Sequence, residues 1–204
     1  RLACILSGAN LNFHSLRYIS ERAELGERRE ALLGVTIPER QGEYLRFCKL
    51  IGDRAVTEFN YRVSGEQAHI FVGLALSGGD AERGQILKLL RGGGYEVVDL
   101  TEDEIAKQHV RYMVGGRPQR ELRESVFAFE FPEAPGALRD FLVQLGTRWN
   151  ITLFHYRSYG TDYGRVLVAF ENVAGDELFA QHVQDLGYEC HEVTDSPAYK
   201  HFLA

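Results

Sequence analysis

Apolar and polar positions follow one another in the same order twice along this chain. Arg29-Glu30-Ala31-Leu32-Leu33-Gly34-Val35-Thr36-Ile37-Pro38-Glu39-Arg40-Gln41-Gly42 returns, altered, as Arg123-Glu124-Ser125-Val126-Phe127-Ala128-Phe129-Glu130-Phe131-Pro132-Glu133-Ala134-Pro135-Gly136. Each copy is an apolar run, a Pro-Glu step and a glycine that opens an amphipathic stretch, which predicts strand, tight turn and helix. In the first copy the strand covers Ala31 to Ile37, and its unbroken apolar character suits a central place in a sheet. The helix from about Gln41 to Ile51 carries Tyr44, Phe47, Cys48 and Ile51 at i, i+3, i+4, i+7, the spacing of a buried stripe. Val56 to Val63 alternates Thr57, Phe59, Tyr61 and Val63 with Glu58, Asn60 and Arg62, so it is a strand with two different faces. Ser64-Gly65-Glu66 turns it into a further strand over Ala68 to Leu76. A helix over Asp80 to Arg91, the run Gly92-Gly93-Gly94 and a strand over Tyr95 to Leu100 complete the unit.

The second copy predicts the same order. Its strand is Val126 to Phe131, and its helix, Ala137 to Leu145, places Leu138, Phe141, Leu142 and Leu145 at i, i+3, i+4, i+7. Strands over Ile151 to Ser158 and Arg165 to Phe170, a helix over Asp176 to Leu186 and a strand over Tyr188 to Val193 follow. The order βαββαβ is that of ferredoxin-like units, so the expected class is α+β, two tandem units with antiparallel sheets. Between them Thr101 and Glu104 stand at capping-box spacing and open a linking helix with Ile105, His109 and Met113 along one face. Val114-Gly115-Gly116-Arg117-Pro118 ends it. The expected organisation is 1–28 as a non-repeated strand, turn and helix cut from something larger, 29–118 as the first unit and 119–204 as the second.

With 204 residues, 45% of them hydrophobic, the chain has material for two small cores. A net charge of −6 argues against nonspecific nucleic-acid binding, which needs a basic face. Cys4, Cys48 and Cys190 are odd in number and far apart, which suits a reduced, cytoplasmic setting. No apolar run is long enough to span a bilayer, and no ligand spacing points to a metal. Asn60 and His155 hold equivalent polar positions of equivalent strands, which reads as an interface or exposed position before a ligand contact.

The chemistry, if any, gathers at the Pro-Glu-x-x-Gly junctions. Gly42 and Gly136 open helices whose first N–H groups suit an anion such as a carboxylate, although each glycine could equally serve only the turn. Tyr44 and Leu138 come two residues later, first in each apolar stripe, as core or as the wall of a pocket that could feel a small aliphatic side chain.

Several phrases carry a resemblance: Ser7-Gly8-Ala9-Asn10-Leu11-Asn12-Phe13-His14, Arg111-Tyr112-Met113-Val114-Gly115-Gly116-Arg117, and Phe154-His155-Tyr156-Arg157-Ser158-Tyr159-Gly160-Thr161-Asp162-Tyr163-Gly164-Arg165-Val166. With the Pro-Glu-x-x-Gly loops, they make essentially the whole chain similar to the C-terminal regulatory part of biosynthetic threonine dehydratase, a pyridoxal phosphate (PLP)-dependent lyase that converts L-threonine to 2-oxobutanoate and ammonia. The resemblance implies tandem ACT-like domains that take L-isoleucine as inhibitor and L-valine as activator, in a homotetramer with the catalytic domain of the same polypeptide. It also implies that Ser7 meets the pyridine nitrogen of PLP and that Tyr44, Leu138 and Leu142 serve the effector response, beside Gly42 and Gly136. The sequence departs from the whole enzyme in having no Ser-x-Lys motif and no glycine-rich phosphate loop, so the chain alone is expected to hold no PLP and to be inactive. The rival readings are an oligomerisation module without effectors and an RNA-recognition fold. The second fails on charge and on the lack of stacking aromatics in Gly164 to Phe170.

Overall fold

The computed structural model describes residues 28–113, 115, 118, 121–132, 134–157 and 163–204, together with Leu16, Ile19, Ser20 and Ala23. Ser7 and the strand and turn expected around it lie outside the described residues. The strands are β1 (Glu30–Pro38), β2 (Val56–Ser64), β3 (Gln67–Ala75), β4 (Glu96–Asp99), β5 (Glu124–Pro132), β6 (Ile151–Arg157), β7 (Tyr163–Glu171) and β8 (Glu189–Glu192). The helices are α1 (Glu43–Ile51), α2 (Gly79–Gly92), α3 (Glu104–Gln108), α4 (Ala137–Leu145), α5 (Glu177–Asp185) and α6 (Pro197–Phe202).

The two units share one sheet. Its order is β4-β1-β3-β2-β6-β7-β5-β8, antiparallel at every pairing, so the halves join edge to edge through β2 and β6. Asn60 stands opposite His155 at the centre of that seam, with Phe59 opposite Tyr156 and Tyr61 opposite Phe154 on either side. The seam thus has a local two-fold, and the interface reading of Asn60 and His155 matches the register. Joining also protects what would otherwise be two exposed strand edges.

Alternation along the strands divides the apolar residues between two faces. Ala31, Leu33, Val35 and Ile37 point into the main core, with the stripes of α1 and α4 and with Phe59, Phe129, Phe131 and Phe154. Tyr44 of the first unit lies 5.2 Å from the Phe154 ring of the second, and Phe59 lies 5.9 Å from it, so the core is continuous across the seam. On the opposite face, Leu32 and Phe71 are covered by Ala106 of α3. Val126, Leu153 and Ala169 are covered by Tyr199 of α6. The linking helix and the tail are therefore counterparts, and the repeated unit is βαββαβα.

Two sequence expectations about the linking helix are corrected. Its cap is Asp103, whose carboxylate accepts from Ala106 N at 2.8 Å, and not Thr101, whose hydroxyl instead faces Leu32 N on β1. Ile105 and Met113 are 67% and 57% exposed, while Ala106 and Arg111 are buried. The helix ends after a few residues and continues as a 3₁₀ turn (Val110–Tyr112), which rotates the buried face away from the expected stripe.

Arg111 turns inward because two buried carboxylates await it. Its Nε donates to Glu58 Oε1 at 3.0 Å and its Nη2 to Glu30 Oε1 at 3.3 Å, and Arg157 Nε of the second unit lies 3.2 Å from the same Glu58 oxygen. Near the other end of the seam Arg62 donates to both oxygens of Glu124, at 2.6 and 3.1 Å, and to Leu203 O at 2.6 Å. Thr57 and Thr152 each donate to the local glutamate, Glu30 and Glu124. Each unit thus sends one arginine to a buried carboxylate of the other.

Candidate functional site

The Pro-Glu-x-x-Gly loops deliver two related cavities between the units. Gly42 and Gly136 are the N-caps of α1 and α4, in the left-handed region at φ 84° and 82°, a conformation in which a Cβ is strained. Neither helix start is capped by a side chain. Glu43 N donates to Arg40 O and Ala137 N to Ala134 O, but no acceptor serves Tyr44 N, Leu45 N, Leu138 N or Arg139 N among the described residues. Each helix start faces the end of the other unit's helix, where Gly52 and Gly146 terminate α1 and α4.

The first cavity, ≈ 30 Å³, lies beside Gly42 and is walled by Tyr44, Tyr61, Leu142, Thr147, Trp149 and Ile151. It adjoins an open cleft of ≈ 910 Å³ that shares Pro38, Glu39, Arg40 and Asn150 with it. The second, ≈ 10 Å³, lies beside Gly136 and is walled by Leu138, Cys48, Ile51, Arg54, Val56 and Tyr156. Five residues singled out from sequence therefore divide: Gly42, Tyr44 and Leu142 meet in the first cavity, Gly136 and Leu138 in the second. Leu142 reaches the first cavity from the other unit, which no spacing within one copy could foretell.

The cavities differ at the residue two places after each glycine. Tyr44 is 7% exposed, and its hydroxyl has no hydrogen-bond partner among the described residues. Burial pushes that phenol well above its ordinary pKa, so it stays protonated and keeps a proton to donate. A buried hydroxyl without a partner costs about 1–3 kcal/mol, so its place calls for an explanation. The neighbouring Tyr61 hydroxyl is satisfied, donating to Glu39 Oε2 at 2.8 Å with Ile151 O at 3.0 Å. In the second cavity Leu138 replaces Tyr44. The pairings Tyr61/Tyr156 and Gly52/Gly146 repeat at nearly the offset of the glycines, a signal by which sequence reasoning could have found more of both walls. Among the described residues no cluster of His, Cys, Asp or Glu could hold a metal, and no helix is long and apolar enough to cross a membrane.

Two fused βαββαβ units, each with an open helix start at an inter-unit cavity, define a tandem ferredoxin-like α+β module. The family model for the C-terminal regulatory domain of threonine dehydratase matches residues 21–110 and again 115–203, and the chain belongs to that family. It is 62% identical to the L-threonine dehydratase biosynthetic IlvA of Escherichia coli, over 100% of this chain and 40% of that protein. It is 42% identical to the mitochondrial threonine dehydratase of Saccharomyces cerevisiae, over 98% of this chain and 36% of that one. The chain thus spans about 40% of the length of the first of these relatives. Among solved structures, the regulatory subunit of aspartate kinase from Thermus thermophilus aligns with 78% of this chain and 93% of its own at 12% identity and a TM-score of 0.32.

Proposed function

We propose that this chain is the effector-binding part of a PLP-dependent threonine dehydratase that converts L-threonine to 2-oxobutanoate and ammonia, inhibited by L-isoleucine and activated by L-valine. The observation that carries the reading is that Tyr44, whose buried hydroxyl has no hydrogen-bond partner among the described residues, lines the cavity beside Gly42 at the open start of α1. The effector's carboxylate meets the N–H groups of Tyr44 and Leu45, where the helix start favours an anion. Its aliphatic side chain lies toward Leu142 and Ile151. Gly136 and Leu138 form the corresponding place in the second unit.

A cavity of ≈ 30 Å³ is the size of one water, so an amino acid must part α1 from the end of α4 to enter. Binding is thereby tied to the relation between the units, which is what a regulator needs. Isoleucine and valine differ by one methylene, worth about 1–3 kcal/mol in an apolar pocket. Their opposite effects follow if the two open the cavity by different amounts and so favour different states, since equal binding to both states shifts nothing.

The four lysines lie on α1, α2, α3 and α6, outside both cavities. The reading therefore assigns PLP to the catalytic domain of the longer polypeptide, with Ser7 reaching it from segment 1–28, and assigns units 29–118 and 119–204 to effector sensing in a cytoplasmic homotetramer. Calorimetric titration of the folded chain with L-isoleucine and L-valine, with D-isoleucine as control, tests it. Saturable, stereospecific binding weakened about tenfold by Tyr44→Phe, the loss of one hydrogen bond to a charged group, is expected. No binding of either L-amino acid would reduce the chain to an assembly module.

A further inference from the structure

An α-amino acid brings two charges to a binding site, and the start of α1 can serve only its carboxylate. Its ammonium needs an acceptor nearby, since an ionised group taken out of water without a partner is strongly disfavoured. Of the residues that line the cavity beside Gly42, only Glu39 and Arg40 are charged. Arg40 is engaged with Glu43, at 3.3 Å. Glu43 itself does not line the cavity: its carboxylate accepts from the Tyr95 hydroxyl at 2.8 Å and pairs with Arg46 at 2.6 Å. Glu39 is therefore the one carboxylate on that wall among the described residues.

Resting on the effector reading above, we infer that Glu39 is the acceptor for the ammonium group of the bound amino acid, and so makes the Gly42 cavity selective for α-amino acids over hydroxy and keto acids of the same shape. Four observations converge. Glu39 lines both the cavity and the open cleft beside it, so it stands where a ligand with its aliphatic end inside keeps its polar end. The carboxylate is held in place. The Tyr61 hydroxyl donates to its Oε2 at 2.8 Å and lies 3.0 Å from Ile151 O of the other unit, while Glu39 N donates to Glu66 O at 2.9 Å. The donor from Tyr61 is a neutral hydroxyl, so that bond orients the carboxylate and leaves its charge in place. The carbonyls around the cavity are poorer acceptors for a cation. Pro38 O already accepts from Arg40 N, Arg40 O from Glu43 N, Gly42 O from Arg46 N and Thr147 O from Gln41 Nε2, and none of them carries a full charge. Finally, both copies of the repeat keep this glutamate, as Glu39 and Glu133, although Arg40 and Gln41 become Ala134 and Pro135. The loop thus offers an anion, and the helix it opens offers N–H groups, to the two ends of one zwitterion.

The test removes the ammonium from the ligand and then the charge from the protein. Wild type, Glu39→Gln and Glu66→Gln are titrated with L-isoleucine and with its 2-hydroxy acid analogue, which keeps the carboxylate and the side chain. Heteronuclear NMR reads the affinity from the amide shifts of residues 42–45. Wild type should hold isoleucine at least about tenfold more tightly than the hydroxy acid, the size of one hydrogen bond between charged groups. In Glu39→Gln isoleucine should weaken by a similar factor while the hydroxy acid binds as well as before or better, so that the preference disappears. Glu66→Gln removes an exposed carboxylate from the same cleft and should keep the wild-type preference, which separates a contact from a general loss of negative charge. The comparison of ligands on wild type needs no variant, and unchanged amide dispersion verifies the fold of the other two. Equal affinity of wild type for both ligands, an equal loss of both in Glu39→Gln, a preference lost in Glu66→Gln, or isoleucine bound without shifts at 42–45 would each overturn the inference while leaving effector binding by the chain intact. No isoleucine bound by folded wild type would overturn the effector reading itself, and this inference with it.

Discussion

Replacing Arg62 by methionine keeps the volume of the side chain and deletes its charge at the seam. The partner left behind is Glu124, whose side chain is 2% exposed. It retains donors from Thr152 and, at 2.6 Å, from Tyr199, so it is not stripped bare. Breaking a buried pair from one side costs about 3–5 kcal/mol, and the two remaining donors place this case toward the lower figure, about 3 kcal/mol. Loss of the bond to Leu203 O adds to it, because that carbonyl anchors the segment after α6. With a urea m-value of about 2 kcal/mol/M, the unfolding midpoint should fall by about 1.5 M. Arg62→Met/Glu124→Leu, which removes both charges, should recover most of that loss, since an apolar pair avoids the desolvation both ions suffer. The core runs across the seam, so fluorescence and circular dichroism should report one coincident transition in all three proteins. A loss below about 1 kcal/mol for Arg62→Met, the size seen for exposed pairs, would refute the view that the seam is stapled by buried charge.

Tyr44→Phe should raise the unfolding free energy by about 1 kcal/mol, because it removes a buried hydroxyl that has no partner, while it weakens effector binding. A destabilised variant in urea titration would mean that the hydroxyl has a structural partner. Gly42→Ala should cost about 1–2 kcal/mol in the same assay, since its φ of 84° disfavours a Cβ, and an unchanged midpoint would contradict that geometry. Two buried groups near the seam give opposed pH slopes. Burial, opposed by Arg111 and Arg157, pushes the Glu58 carboxyl up to about 7. Its contribution to stability is therefore full below about 4.5 and lost as pH rises through about 7. Burial, helped by Arg157, pulls His155 down to about 4, so its contribution is full above about 6.5 and lost as pH falls toward about 4. Between those limits the two nearly cancel in wild type. Glu58→Gln should show stability rising with pH by up to about 1.4 kcal/mol per unit, and His155→Asn should show it falling. Two variants with the wild-type slope would contradict both assignments.

Repetition made the local fold legible. The stripes Tyr44, Phe47, Cys48, Ile51 and Leu138, Phe141, Leu142, Leu145 are buried as their spacing demands, and both glycines hold the turn they were read to make. The linking helix was misread because Thr101 and Glu104 imitate a capping box, while Asp103, one residue before the first turn, makes the real cap. The joining of the two sheets was legible only as the interface reading of Asn60 and His155, since pairing between β2 and β6 leaves no other mark on the pattern of either strand. With that pairing unknown, alternation could say that Glu58 and Arg62 share a face but not that they meet Arg157 and Glu124. The sites were half legible for the same reason. Gly42 and Tyr44 share one helix start and could be grouped from spacing, whereas Leu142 and Thr147 complete that cavity from the other unit.

The crystal structure of the chain with L-isoleucine bound tests the central claim most directly. The account predicts an amino acid beside Gly42, its carboxylate on the N–H groups of Tyr44 and Leu45, the Tyr44 hydroxyl now engaged, and α1 moved away from the end of α4. Isoleucine bound elsewhere, or bound beside Gly42 with its carboxylate pointing away from the helix start, would contradict it.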